Sequence, residues 1–195
     1  MALHDAYTEA PDEAGWTYLP YGPFASADDY VGFVRWCEER DDTLFYAIID
    51  RAHEQPTGVA SFLRINPLMG CIEVGHLSYA PALQQTAAST EAMYLMMHHV
   101  FEELGYRRYE WKCDSLNAPS CSAAERLGFR YEGTFRNAVV TKGRNRDTAW
   151  YSIIDAEWPA IRVALETWLA PANFDASGRQ LRPLRDWMPK ATGSS

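Results

Sequence analysis

Asn117 and Ser120 stand three residues apart at the start of a helix-like run, Asn117-Ala-Pro-Ser-Cys-Ser-Ala-Ala-Glu-Arg-Leu-Gly-Phe129. At that spacing both side chains can share one helix face. Asn offers a donor and an acceptor that can hold an amide, and a Ser hydroxyl can give a proton to a leaving thiolate. The same residues also suit a helix start, with Asn117 as N-cap and Pro119 in the first turn. Glu73 lies in an apolar run, Cys71-Ile-Glu-Val-Gly-His-Leu-Ser-Tyr-Ala80. A carboxylate on a buried strand must be paired, hydrogen-bonded or shifted in pKa. It can serve as a base for an attacking amine or sit in an ion pair with a residue such as Arg64. Strand alternation puts Glu73, Gly75 and Leu77 on one side and Val74, His76 and Ser78 on the other. The next stretch, Pro81 to Ala92, is small and polar and opens a helix carrying Met93, Met96, Met97, Val100, Phe101 and Leu104 at helical spacing. A helix start has free N–H groups and the positive end of the macrodipole, so residues 85–90 could hold an anion such as phosphate. An ordinary strand-to-helix turn capped by Thr90 or Ser89 is the alternative.

These groups need a frame. Residues 1–14 read as a loose N-terminal arm, and Gly15–Gly22 as a short strand ended by Pro and Gly. Ser26–Cys37 reads as a helix with Ser26 as N-cap and Asp28 and Asp29 in the first turn. Thr43–Asp50, Val59–Asn66 and the run at 71–80 form an antiparallel meander. A strand within Leu104–Asp114, the helix after Asn117, the run from Arg130 and a last strand Thr148–Ile154 follow, with Arg136–Lys142 and a polar turn at 143–147 between them. Asp155 caps a final helix through Trp168, and 171–195 is a tail that either lies over the body through Leu184 and Trp187 or stays loose. This order implies an α+β fold with a mostly antiparallel sheet and a locally parallel centre. Two central strands that part leave a notch beside a helix N-terminus, which suits a ligand.

Taken together, the loop, the Asn-x-x-Ser pair and the Leu127-Gly-Phe-Arg-Tyr-Glu-Gly133 run resemble the GNAT superfamily of acyl-CoA N-acyltransferases. Within it, they resemble the branch of ribosomal-protein and small-amine N-acetyltransferases. The family's pyrophosphate loop reads Gln/Arg-x-x-Gly-x-Gly/Ala and runs into Ala-Thr-Glu-Ala. Here it reads Gln84-Gln-Thr-Ala-Ala-Ser-Thr-Glu-Ala92, with Gln85 and Ala87 at the glycine positions. The resemblance covers roughly residues 15–160, within a domain expected at 15–170. It implies a central sheet splayed at its middle and flanked by helices. The pantetheine arm of acetyl-CoA would lie against Leu77, Ser78 and Tyr79 and be held by Asn117. Its pyrophosphate would lie on Gln84, Gln85, Thr86, Ala87, Ala88, Ser89 and Thr90. Ser120 would protonate the leaving thiolate, and Glu73 would be the candidate base. Some ribosomal-protein acetyltransferases carry a Glu several residues after the Glu-Gly pair, where this chain has Asn137-Ala-Val-Val.

The implied reaction is direct transfer of an acetyl group from acetyl-CoA to a primary amine, on a small molecule or a protein N-terminus. The altered loop leaves room for a longer acyl-CoA or an acyl or aminoacyl carrier as donor, and a non-catalytic binding domain is the remaining rival. Bulk properties agree with a globular protein: 195 residues, 47% hydrophobic, with Trp 7, Tyr 11 and Phe 8. A net charge of -8 argues against a broad nucleic-acid face and mildly favours cationic acceptors. No apolar stretch is long enough for a bilayer, and the N-terminus lacks a signal-peptide pattern. Cys37, Cys71, Cys113 and Cys121 fit neither C-x-x-C nor zinc spacing, so no metal is expected, and reduced thiols point to the cytoplasm. His98 and His99 are adjacent and do not converge on one ion. A surface cluster of Arg107, Arg108, Lys112 and Arg130 is a solvated face or a partner for the 3′-phosphate of CoA. Trp16, Tyr21, Phe24, Trp36, Trp111 and Trp150 are candidates to line an acceptor pocket, and a homodimer through the last strands is a family-level expectation.

Overall fold

β-branched and aromatic runs alternate with helices capped by small polar residues, and each boundary has a local cause. The computed structural model describes residues 2–189. Six strands form one sheet: β1 (Thr43–Asp50), β2 (Gln55–Asn66), β3 (Cys71–Tyr79), β4 (Arg108–Asp114), β5 (Arg130–Thr141) and β6 (Arg144–Ile154). Their order is β1-β2-β3-β4-β6-β5, with β3 and β4 parallel and every other neighbour antiparallel. The helices are α1 (Ala2–Thr8), α2 (Ala27–Glu38), α3 (Ala87–His98), α4 (Ala118–Arg126) and α5 (Trp158–Leu169). α3 continues as a π-helical turn, His99–Glu103, and Gly105 (φ 63°) ends it in the left-handed conformation that glycine takes at little cost.

One face of the sheet carries the core. Phe62, Ile72, Val74, Tyr109, Trp111 and Ile153 meet Met93, Met97 and Val100 from the α3 side and Trp158, Ile161 and Leu165 from α5. Each fully buried side chain of this size contributes about 1.5–3 kcal/mol. On the other face, α1 and α2 cover the β1–β3 half. A ladder of charges crosses the sheet beside them, from Arg64 through Glu73, Lys112, Glu110 and Arg108 to Glu132.

Several local expectations are corrected. The segment read as a loose arm contains α1, and its Tyr7 hydroxyl donates to the Ser78 carbonyl at 3.0 Å. Residues 15–22 form a 3₁₀ turn and bends rather than a strand. The β5–β6 hairpin holds this segment in place, Lys142 Nζ donating to the Trp16 and Gly22 carbonyls at 2.8 and 2.7 Å. α5 begins after Glu157, not Asp155, without a side-chain cap. The tail lies over the body: Leu184 is 1% exposed, and Asn173, nearly buried, ties its ends by donating to the Trp168 and Arg182 carbonyls. Its last residues, 190–195, lie outside the described residues. Among those described, no helix is long and apolar enough to cross a membrane.

Candidate active site

β3 and β4 pair from Cys71 opposite Arg108 to Val74 opposite Trp111, and there the pairing stops. Both strands continue, β3 through Gly75–Tyr79 and β4 through Lys112–Asp114, with a notch between them. A bulge accompanies the parting. Ser61 faces Gly75 and Val59 faces Ser78, so Ala60 stands opposite two residues, His76 and Leu77. His76 takes the left-handed conformation, φ 52°. Such an insertion bends and twists the strand that carries it. It also overturns the simple alternation: the His76 ring packs on Phe45 and Tyr21, on the same side as Glu73, while Leu77 packs against the core.

The bulge sets which backbone groups face the notch. The Ala80 N–H donates to the Thr57 carbonyl at 2.9 Å, so Ala80 and, two residues earlier, Ser78 turn their backbones to β2. Leu77 and Tyr79 therefore present theirs to the notch. Of the three expected pantetheine partners, Ser78 is turned away, and its carbonyl receives the Tyr7 hydroxyl. The Tyr79 carbonyl accepts from the Gln84 side-chain amide at 2.9 Å, so Gln84 braces the loop rather than facing solvent alone.

The loop from Ala80 to Thr86 is held by Leu83, which is 2% exposed, and by turn bonds from Leu83 and Gln84 to Ala80. Gln85 is left-handed at φ 59°, in the conformation a glycine would adopt at least cost. Thr86, not Ser89 or Thr90, is the N-cap; its hydroxyl accepts from the Ser89 N–H at 3.2 Å. The N–H groups of Gln85, Ala87 and Ala88 have no partner among the described residues. With the positive end of α3 behind them, they form a cradle for an anion.

Arg126, absent from the sequence-derived candidates, stands beside this cradle. Its Nη1 donates to the buried Thr90 hydroxyl at 3.0 Å, and its guanidinium packs 5.1 Å from the Trp168 ring. Burial lowers its pKa from the ordinary value. No carboxylate lies within ion-pair reach of it among the described residues. Its only sequence signal is its place in the last turn of α4, which tertiary packing turns toward α3. Of the four cations that the sequence did single out, three are committed elsewhere: Arg108 to Glu110 and Glu132, Lys112 to Glu73 and Glu110, Arg130 to Glu157.

Asn117 and Ser120 come to the base of the notch. Asn117 is the N-cap of α4, its side-chain oxygen accepting from the Ser120 N–H at 3.2 Å. Its amide nitrogen is left to donate elsewhere. Ser120 Oγ accepts from the indole N–H of Trp111 at 3.0 Å, the last β4 residue paired to β3. That bond uses an oxygen lone pair and leaves the hydroxyl able to donate, and Ser120 also hydrogen-bonds the Cys113 thiol. Behind Ser120, the Cys113 and Cys121 sulfurs lie 3.6 Å apart, and burial pushes the Cys113 thiol up to about 12.

Glu73 sits one residue before the strands part, opposite Glu110 and 3% exposed. Arg64 Nη1 reaches both its oxygens at 2.7 Å, and Lys112 Nζ bridges it to Glu110 at 2.8 Å on each side. The Arg64 pair is thus present, and a proton reaching Glu73 would displace a buried ion pair. Burial pushes Glu110 up, but bonds from Lys112 and Arg108 outweigh it and hold the carboxyl below its ordinary value. Asp147 closes its hairpin by accepting from the Asn137 N–H and the Asn145 amide. The candidate aromatic pocket divides. Tyr21, Phe24 and Trp36 cluster around Phe33 with Trp16 packed on Phe24, while Trp111 is core and Trp150 packs on Phe135 and under Lys112.

The family model described as the acetyltransferase (GNAT) domain matches residues 2–130. A crystal structure of a GCN5-related N-acetyltransferase from Brucella melitensis is 44% identical, with a TM-score of 0.93 over 95% of this chain and 84% of that one. The N-acetyltransferase p20 of Bacillus licheniformis is 24% identical over 81% of this chain and 92% of its own. The match to the N-acetyltransferase YnaD of Bacillus subtilis, 27% identical, takes in 44% of this chain and only half of that protein. An acyl-transfer enzyme is what this notch and these relatives have in common, and the chain belongs to the GNAT acetyltransferase family.

Proposed function

We propose that this enzyme transfers an acetyl group from acetyl-CoA to a primary amine by direct attack within a ternary complex, in the cytoplasm. The observation that carries the reading is the notch at Leu77 and Tyr79 opening beside three unpartnered N–H groups at Gln85, Ala87 and Ala88. A diphosphate fits such a cradle, and an extended amide chain fits a strand edge. Arg126 stands beside the cradle, where a cation alone would oppose the positive end of α3 and a bound anion would balance both.

Acetyl-CoA supplies an activated thioester. The amine nitrogen forms the new bond to the carbonyl carbon, the bond from that carbon to sulfur breaks, and the net proton passes from nitrogen to sulfur. Ser120 supplies the second half of that proton traffic, a role supported by its oxygen accepting from Trp111 at the parting of the strands. Asn117 has a free amide nitrogen for a pantetheine carbonyl. Positioning and hydrogen bonding account for the catalysis, with no covalent enzyme intermediate.

Calorimetric titration with acetyl-CoA tests the donor. Micromolar binding by the native chain is the expected result, with thiol release on adding an amine. Binding only by Gln85→Gly means the native loop serves another donor. Binding by neither form sinks the reading.

A further inference from the structure

On the face of the sheet away from the core, α2 and strands β1 to β3 border a cleft of about 440 Å³ whose walls include Trp36, Arg40, Asp41, Arg64, Ile65 and His76. Two of these, Arg64 (φ 48°) and His76 (φ 52°), are left-handed residues with side chains. Each sits where the β2–β3 register slips, one between Leu63 and Asn66 and one opposite Ala60. Such conformations are costly and gather at sites that use them, and bulges re-aim side chains. Here two of them aim at one cleft.

The groups they present are specific. Arg64 is 61% exposed along its side chain and meets Glu73 through Nη1 alone. Its Nε and Nη2 have no partner among the described residues. Arg40 lies 4.8 Å over the Trp36 ring and is matched by Asp42. Asp41 is a lone carboxylate at the rim, without an ion-pair partner among the described residues. His76 Nδ1 meets the Tyr21 hydroxyl at 3.2 Å, and its other ring nitrogen has no protein partner among the described residues. Burial, then Arg40 and Arg64, keep this imidazole neutral. His76 also belongs to the β3 segment that borders the notch.

We infer that this cleft is the acceptor subsite and that the acceptor is an amine carrying a carboxylate, of the α-amino-acid class with an apolar side chain. Arg64 offers two N–H donors to the carboxylate. The Trp36 indole and Ile65 offer an apolar wall, and the free imidazole nitrogen of His76 accepts a hydrogen bond from the amine beside the notch. Asp41 opposes a second acidic group on the ligand. The inference deepens the acetyl-transfer reading and rests on it.

The test compares L-phenylalanine with phenethylamine, and L-tryptophan with tryptamine, in a thiol-release assay with acetyl-CoA. The expected result is a kcat/KM about 10-fold or more higher for each amino acid than for its decarboxylated partner, the size of one charge-assisted hydrogen bond. Arg64→Gln brings that ratio toward one by raising KM for the amino acid. Arg64→Lys, which keeps the charge but not the fork, falls between. Leu68→Ser, on a turn where Leu68 is 95% exposed, leaves the ratio as it was. Equal turnover of the paired compounds, or a ratio that Arg64→Gln does not move, overturns the inference. Quenching of protein fluorescence by L-phenylalanine, lost in Trp36→Phe, reports the cleft without acetyl-CoA. If acetyl-CoA fails to bind while this quenching persists, the donor reading fails and the cleft stands; if acetyl-CoA binds and L-phenylalanine gives no quenching, the cleft assignment fails alone.

Discussion

At the scale of single residues, the site depends on where one proton sits. Ser120 accepts from Trp111, and in the proposed reaction its proton goes to the leaving thiolate. Ser120→Ala is expected to lower kcat roughly 100-fold, the low end for loss of a positioned proton donor. KM for acetyl-CoA should change little, because the proposed binding uses backbone groups and Asn117. The variant also leaves the Trp111 indole N–H without a partner, at a cost of about 1–3 kcal/mol. Ser120→Thr separates the two effects: it keeps a hydroxyl and should regain much of kcat. If Ser120→Ala turns over at the native rate, the proton-donor role is wrong. The capping reading of Asn117-x-x-Ser120 is present in the structure, and it leaves the Asn117 amide nitrogen free for the proposed binding role.

At the scale of elements, the β3–β4 junction joins stability to the opening of the notch. Below the parting, Glu73 and Glu110 lie side by side, and Lys112, with a side chain 7% exposed, neutralises both. Removing one member of such a buried set leaves an uncompensated charge. Glu73→Gln is therefore expected to cost about 3 kcal/mol, seen as a lower urea midpoint with an unchanged slope. Pairing it with Lys112→Met should restore part of the loss, because the surplus positive charge of the ladder is gone, while Glu110 keeps Arg108. A Glu73→Gln protein of native stability would show that the ladder contributes nothing and would favour a catalytic carboxylate. From Ser26 onward the strands, helices and meander were legible from alternation and helix starts, whereas α1 and the 3₁₀ turn at 14–16 were not. The bulge at His76 was not: no residue in Glu73-Val-Gly-His-Leu demands it, and the slip arises only when β3 is laid against β2. One inserted residue then decided which side chains and which backbone groups face the notch.

At the scale of the whole molecule, acid should loosen the fold before the carboxylates titrate. Burial, reinforced by Arg40 and Arg64, lowers the His76 pKa from 6.5 to about 4. Between those values the unfolded chain holds a proton that the folded chain refuses, so stability falls as pH falls through that window. The full difference corresponds to about 3 kcal/mol. Melting followed from pH 7 to pH 4 should show this slope, and His76→Gln should flatten it. An unchanged slope in the variant assigns the acid loss to other groups. Glu132, held below its ordinary value by Arg108, adds its share only below about pH 4.5.

The sequence by itself determined the class of the fold, the order of its elements from Ser26 onward, and the two places where a ligand could be held: the loop before α3 and the start of α4. Those follow from local rules, in which periodicity, caps and backbone donors act over a few residues. Only the tertiary structure decided that Ser78 turns from the notch while Leu77 and Tyr79 face it. It alone brought Arg126 to the first turn of α3 and spent Glu73 on two cations. Each of these depends on partners that lie nine or more residues away in the chain, and contact across that distance is set by how the strands register and pack, which no local pattern encodes.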